Sequence, residues 1–361
     1  MTNHLTAIIK CLGTSLLMLF LSGSRSSVAQ PSTSAGGPSG AIVVIVPGLD
    51  HTALSLMGAR DDQRPFLLYE RKLRHIHYRP LYDGGWTPML AGNLSAIATG
   101  RLSGEATLGL NENRQPTPNI VEQAEEEGVH VALITLDNVV APSLAAFYSH
   151  QANQKRYKAI GEELLGISPE VVIGSAGASG NKAIARFREQ GYQVETKARK
   201  ADNLRPNQGP QALLMDARQI QKAQDQDDFF ADALQGALNV TASGRGPGLI
   251  IMSMGGLKAA TRMKSPEAYQ GQIEVLEESL PAIVAQARSR NMLLMIVGAS
   301  GAHIRIRDIP REGPFKLNRI DSAPLQLLPC WLEGPGSNKL PNVVDNHKLY
   351  LLLTNAIRGG S

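Results

Sequence analysis

Short unbroken apolar runs, each closed by glycine, proline or a polar residue, recur along this chain with helical periods between them. Ala41–Val46 reads AIVVIV and stops at Pro47-Gly48; Val171–Gly174, Gly248–Ser253 and Met292–Val297 repeat the pattern, and Val129–Leu136 reads as a further strand around its own apolar centre. A strand that is apolar at consecutive positions must be covered on both faces, which is how strands of a parallel sheet read. Helical periods are expected over Met89–Ala98, opened by Thr87-Pro88, over most of Ser143–Leu165, and over Ile120–Glu127, Asn181–Gln190, Phe229–Asn239, Pro266–Ser289 and Asn346–Ile357. Strand and helix in alternation predict an α/β fold: a three-layer sandwich with a largely parallel central sheet flanked by helices. At 361 residues and 43% hydrophobic, the chain can build that core.

The first residues read as targeting rather than fold. Lys10 precedes an apolar run from Cys11 to Leu21, and Ser27-Val28-Ala29 is a small-x-small cleavage site before Gln30. The run is about half of the ~20 residues a spanning helix needs. Residues 1–29 are therefore a signal peptide, 30–40 a Pro/Ser/Gly-rich flexible linker and 41–361 a single domain; an N-terminal membrane anchor is the alternative. This places the protein outside the cytoplasm, secreted or periplasmic, with no transmembrane helix once the signal is removed. Of the 36 Lys+Arg, Lys10 and Arg25 leave with the signal, and none of the 32 Asp+Glu do, so the mature chain is nearly neutral. No basic cluster of nucleic-acid type is present. Cys330 becomes the lone cysteine, inside an apolar strand, where a buried inert thiol is expected.

In a parallel sheet, sites form where strands end. Asp50-His51 follows the first strand and offers an acid/base pair, or Asp50 offers an N-cap to the helix beginning near Thr52. Thr87 offers a nucleophile or an ordinary helix start. Ser300 and His303 offer a Ser–His dyad in a Gly-rich loop, with no third orienting carboxylate in sight. Asp83 and Asp137 are further polar candidates at predicted turns and strand ends. His75 and His77, two apart, share one face of a strand, expected as a solvated edge. Gly174–Gly180 is Gly-rich but lacks the Gly-Lys-Ser/Thr ending of a nucleotide loop.

Leu144–His150, LAAFYSH, with Tyr157 downstream, resembles the "TPAAFYAH" segment of the alkaline phosphatases and the tyrosine that follows it. Ala98–Gly100, Pro169–Gly174, Gly191–Val194, Gly255-Gly256 and Val344–Asn346 match that family in order, from Ala41 to Ile357. The resemblance implies the alkaline-phosphatase-like sandwich, zinc and magnesium as cofactors, phosphate-ester chemistry and a homodimer.

The positions to which it assigns chemistry are changed. Pro47 stands for the first metal-binding aspartate, Met89 for the aspartate of the nucleophile segment and Leu90 for the nucleophilic serine. Ala141-Pro142-Ser143 replaces a ligand pair, Gln154 the phosphate-clamping arginine, and Met254, Ala259, Met263, Ser300 and Gly301 further ligands. Zinc takes thiolate, imidazole or carboxylate, and magnesium hard oxygens. No cofactor is therefore expected, and the old site is expected to be partly filled by side chains. The sequence reads as a degenerate alkaline-phosphatase-like envelope protein that binds an unidentified ligand or protein partner or serves a structural role. The alternatives are a phosphoric ester hydrolase with a rebuilt site drawing on Asp50, His51, Asp83, Thr87, Asp137, Ser300 or His303, and a metal-free hydrolase using Ser300 and His303.

Overall fold

The computed structural model describes residues 39–60, 73–86, 89–224, 228–241, 248–263, 265–300, 304–307, 316–319 and 326–359. The predicted signal peptide, nearly all of the linker, Thr87 and His303 lie outside the described residues. The strands are β1 (Gly40–Pro47), β2 (Arg74–Arg79), β3 (Leu81–Tyr82), β4 (Gly85–Trp86), β5 (His130–Asn138), β6 (Val171–Ser175) and β7 (Gln193–Glu195). After them come β8 (Gln211–Met215), β9 (Gly248–Ser253), β10 (Leu293–Ser300), β11 (Ile304–Arg307), β12 (Lys316–Arg319), β13 (Leu328–Glu333) and β14 (Val343–Asp345).

A ten-stranded sheet has the order β14-β2-β13-β10-β1-β9-β5-β6-β8-β7, while β3–β4 and β11–β12 form separate two-stranded sheets. All neighbours in the large sheet are parallel except at β13, which runs against both β10 and β2. The expected largely parallel sheet is what the chain forms.

The helices are α1 (His51–Arg60), α2 (Leu90–Thr99), α3 (Ile120–Glu126), α4 (Pro142–Ala145), α5 (Tyr157–Ile167) and α6 (Gly180–Glu189). Further on are α7 (Ala217–Gln224), α8 (Phe229–Thr241), α9 (Gly256–Met263), α10 (Pro266–Ser289) and α11 (Tyr350–Ile357). Strand side chains alternate between the two faces. Ala41, Val43 and Ile45 of β1 pack into one core with α2, α3, α5 and α11. Ile42, Val44 and Val46 pack into a second with α8 and α10. In both cores each fully buried Val or Ile contributes about 1.5–3 kcal/mol against exposure. This double burial is why β1 lacks any polar alternation.

Local signals close the elements. Asn119 and Glu122 form a reciprocal capping box at the start of α3: Asn119 Oδ1 accepts from the Glu122 N–H at 3.0 Å, and Glu122 Oε2 accepts from the Asn119 N–H at 3.0 Å. The AAFYSH segment is scaffold, with Phe147 and Tyr148 buried and Tyr148 Oη donating to the Val139 carbonyl at 2.8 Å.

Two expectations need correction. β2, which carries His75 and His77, is not a solvated edge, because β14 pairs with it from outside through Val343↔His77. The stretch expected to be helical from Ser143 to Leu165 is broken between α4 and α5. There the backbone turns back to pair Gln151 with Leu108, which an isolated helical pattern does not reveal.

Candidate functional site

β1, β9 and β5 lie side by side and point their C-terminal ends the same way. The ends are shaped by local chemistry. Register between β1 and β10 slips after Val46↔Gly298, so that Pro47 faces Ser300, and the Gly48 N–H then donates to the Ser300 carbonyl at 3.1 Å. Gly48 turns with φ of +94°, a left-handed conformation that favours glycine. Gly298 is needed for a close approach, since a Cβ there would sit 2.2 Å from the Leu49 carbonyl oxygen.

Above these ends opens a cleft of about 490 Å³, within the usual range for a small-molecule site. Its wall carries Pro47, Met89, Leu90, Ala141 and Ala259 as apolar surface, and Asp137, Asn138, Ser143, Gln154, Lys155 and Lys258 as polar surface. Leu90 opens α2, whose residues are all buried from Leu90 to Thr99. Asp137 ends β5, with its backbone N–H on Thr135 Oγ1 at 2.9 Å and its Oδ1 accepting from the Asn138 N–H at 2.7 Å. Lys258 and Ala259 come from α9, and Gln154 and Lys155 from the loop before α5. A second cavity of about 210 Å³ adjoins at Asp137, Gly255 and Ala259 and runs in to Met254, Phe230 and Leu276.

The site expected to be partly filled by side chains keeps an open cleft. The exchanged side chains line the walls, because the gap is set by where the strands stop and the helices start. Met263 is 69% exposed and Ser300 is 1% exposed, and neither lines the cleft.

The other sequence candidates fall apart spatially. Asp50 caps α1, Oδ1 accepting from the Ala53 N–H at 3.0 Å and Oδ2 from Gln326 Nε2 at 2.9 Å; it is 2% exposed and off the cleft. His51 stacks on His77 at 5.1 Å rather than joining a dyad with Asp50, and His77 in turn lies 4.5 Å from His75, which stacks on Trp331 at 4.9 Å. Burial and the neighbouring imidazoles lower the pKa of His75 to about 4, and the same two causes lower that of His77. Asp83 turns between β3 and β4 and is absent from the cleft wall. Of the polar candidates among the described residues only Asp137 is on the cleft. Lys258 was not singled out from the sequence, since one lysine in a helix carries no signal there.

Solved structures superpose on this arrangement. The alkaline phosphatase from the Antarctic bacterium TAB5 gives a TM-score of 0.75 at 13% identity, over 90% of this chain and 100% of that one. The chain has the alkaline phosphatase fold. A cold-active alkaline phosphatase from the psychrophile Shewanella sp. gives 0.75 at 14% identity, over 88% and 99% of the two chains. That from Thermus thermophilus gives 0.71 at 14%, over 94% and 95%. No family model matches the chain, and no curated protein sequence does.

An alkaline phosphatase fold raises the question of metals. Among the described residues the cleft wall does not fit a two-metal centre: its one carboxylate is Asp137, no imidazole or thiolate lines it, and Pro47, Leu90, Ala141 and Ala259 bring no lone pair in their side chains. Among the described residues no group of three His, Cys, Asp or Glu side chains is placed to hold an ion.

Proposed function

We propose that this protein is an exported, non-hydrolytic ligand-binding protein, and that its pocket is the cleft above β1, β9 and β5. The observation that carries the reading is the make-up of the wall, where Pro47, Met89, Leu90, Gln154 and Ala259 replace the metal ligands, nucleophile and arginine that the resemblance implies. Without metals, a nucleophile or a guanidinium, the wall has nothing to activate an attacking oxygen or to clamp phosphate bidentately, and its lysines alone are left to meet the charge. The space persists, and Lys155, Lys258 and Asp137 beside apolar side chains suit a small organic molecule with an anionic group on an apolar body. Export rests on the leader, and no described helix is long and apolar enough to cross a membrane.

A rebuilt phosphoric ester hydrolase has little on the cleft to work with, since Asp50 is engaged in a cap and Ser300 is buried elsewhere. The test is an assay of the exported chain on a chromogenic phosphate monoester with zinc and magnesium, together with its metal content. Turnover at the uncatalysed rate is expected. Chelator-sensitive turnover, or about two zinc ions per chain as in a two-metal site, would overturn the reading.

A further inference from the structure

A separate cavity of about 380 Å³ lies between α5 and α6, on the far side of Asn138 and Tyr157 from the cleft. Its lining is apolar, with Val140, Gly161, Leu164, Ala176, Ala183 and Phe187 along it, and Lys158 and Lys182 at its border. Both lysines are exposed, and neither belongs to an ion pair among the described residues, whereas the third border cation, Arg186, is held by Glu162. Tyr157 stands 52% exposed at the end shared with the cleft.

We propose that this groove binds a free single-chain amphiphile with an anionic head, the chain lying along the apolar lining and the head on Lys158 and Lys182. Two features select that occupant. The walls are α5 and α6 with the loops at 138–140 and 176–179, and the N–H groups of Val139, Val140 and Ala176 are already bonded, so an extended peptide would find few partners for its own amides there. A methylene chain makes no such demands, and two cations at one border complement one carboxylate. The proposal does not depend on the reading of the cleft.

The probes are octanoate, decanoate and dodecanoate below their micellar concentrations, titrated calorimetrically into the exported chain. Kd falls by roughly tenfold for each two methylenes, and dodecanol binds at least tenfold more weakly than dodecanoate. Gly161→Leu fills the groove at a position where a Cβ meets only Val140 Cγ1, at 3.7 Å. The change favours the helix, so Tm holds or rises while dodecanoate binding weakens at least tenfold. Lys158→Glu with Lys182→Glu weakens it similarly. Affinity independent of chain length, or unchanged binding by Gly161→Leu, overturns the proposal. So does loss of binding in Ala259→Trp alone, which would put the ligand in the cleft. Capture of phosphatidylglycerol vesicles without binding of free dodecanoate also overturns it, as does a dimer that Gly161→Leu dissociates.

Discussion

The side-chain amide of Asn93 donates to Tyr78 Oη at 2.9 Å, deep beneath the cleft. The same amide donates to the Ala299 carbonyl at 2.7 Å, Tyr78 Oη donates to the Gly298 carbonyl at 2.8 Å, and Asn346 Nδ2 donates to Asn93 Oδ1 at 3.1 Å. One network thus ties α2 to the end of β10 and to the segment before α11. Burial pushes the Tyr78 phenol far above its ordinary range, which keeps it a neutral donor.

Replacing Asn93 by Leu keeps the shape and strands those partners. Each buried group left unpaired costs about 1–3 kcal/mol, so the variant loses about 2–4 kcal/mol in a urea titration. A midpoint equal to the parent's would show that the network adds nothing to stability.

Ser300 tests the metal-free hydrolase. Its Oγ is buried and meets no hydrogen-bond partner among the described residues. Ser300→Ala removes an unpaired hydroxyl and is expected to be neutral or stabilising by about 1 kcal/mol. A fluorophosphonate probe is expected to leave Ser300 unlabelled in mass spectrometry; labelling there would restore the dyad.

Acid sensitivity follows from the stacked histidines. A His75 that holds its proton only below about pH 4 when folded, against 6.5 in the unfolded chain, makes the unfolded state bind more protons across that window. Stability therefore rises with pH from about 4 to 6.5, and is lost as pH falls through the same window. His75→Phe preserves the stack on Trp331 and flattens that slope in Tm measured against pH. An unchanged slope would place the acid sensitivity elsewhere.

On the proposed reading, adding a hydroxyl alone does not supply chemistry. Leu90→Ser puts an oxygen at the start of α2, on a cleft whose one carboxylate among the described residues is Asp137. Turnover of a phosphate monoester with added zinc and magnesium is expected to stay at the uncatalysed rate, for want of anything to activate the oxygen. Measurable hydrolysis by this variant would mean the site needs far less than its wall suggests.

The strands easiest to read were those buried on both faces. Residues 41–46 and 248–253 announce themselves because the sheet allows no polar residue there. β8 left little trace, since its five residues begin with Gln211, whose amide turns to Arg205. The cleft wall was legible only through ordered resemblance: Pro47, Leu90 and Ala259 lie far apart in sequence, and none of them carries a chemical signal. That the wall would stay open was not legible, because open volume depends on where backbones stop and side-chain identity does not report it. The α5–α6 groove is illegible for the same reason, and Lys258 because one lysine in a helix carries no signal.

Pro47 sets what a carboxylate at the end of β1 would have to overcome. It is buried where the β1–β10 register slips, and a proline there presents no N–H to be matched. An aspartate at 47 would bring a buried amide hydrogen needing a new acceptor, at about 1–3 kcal/mol if none is found, and a carboxylate beside Leu90 and Ala259. On the proposed reading the wall works as a ratchet: single steps that install a buried metal ligand run uphill, and single steps that refine a metal-free pocket do not.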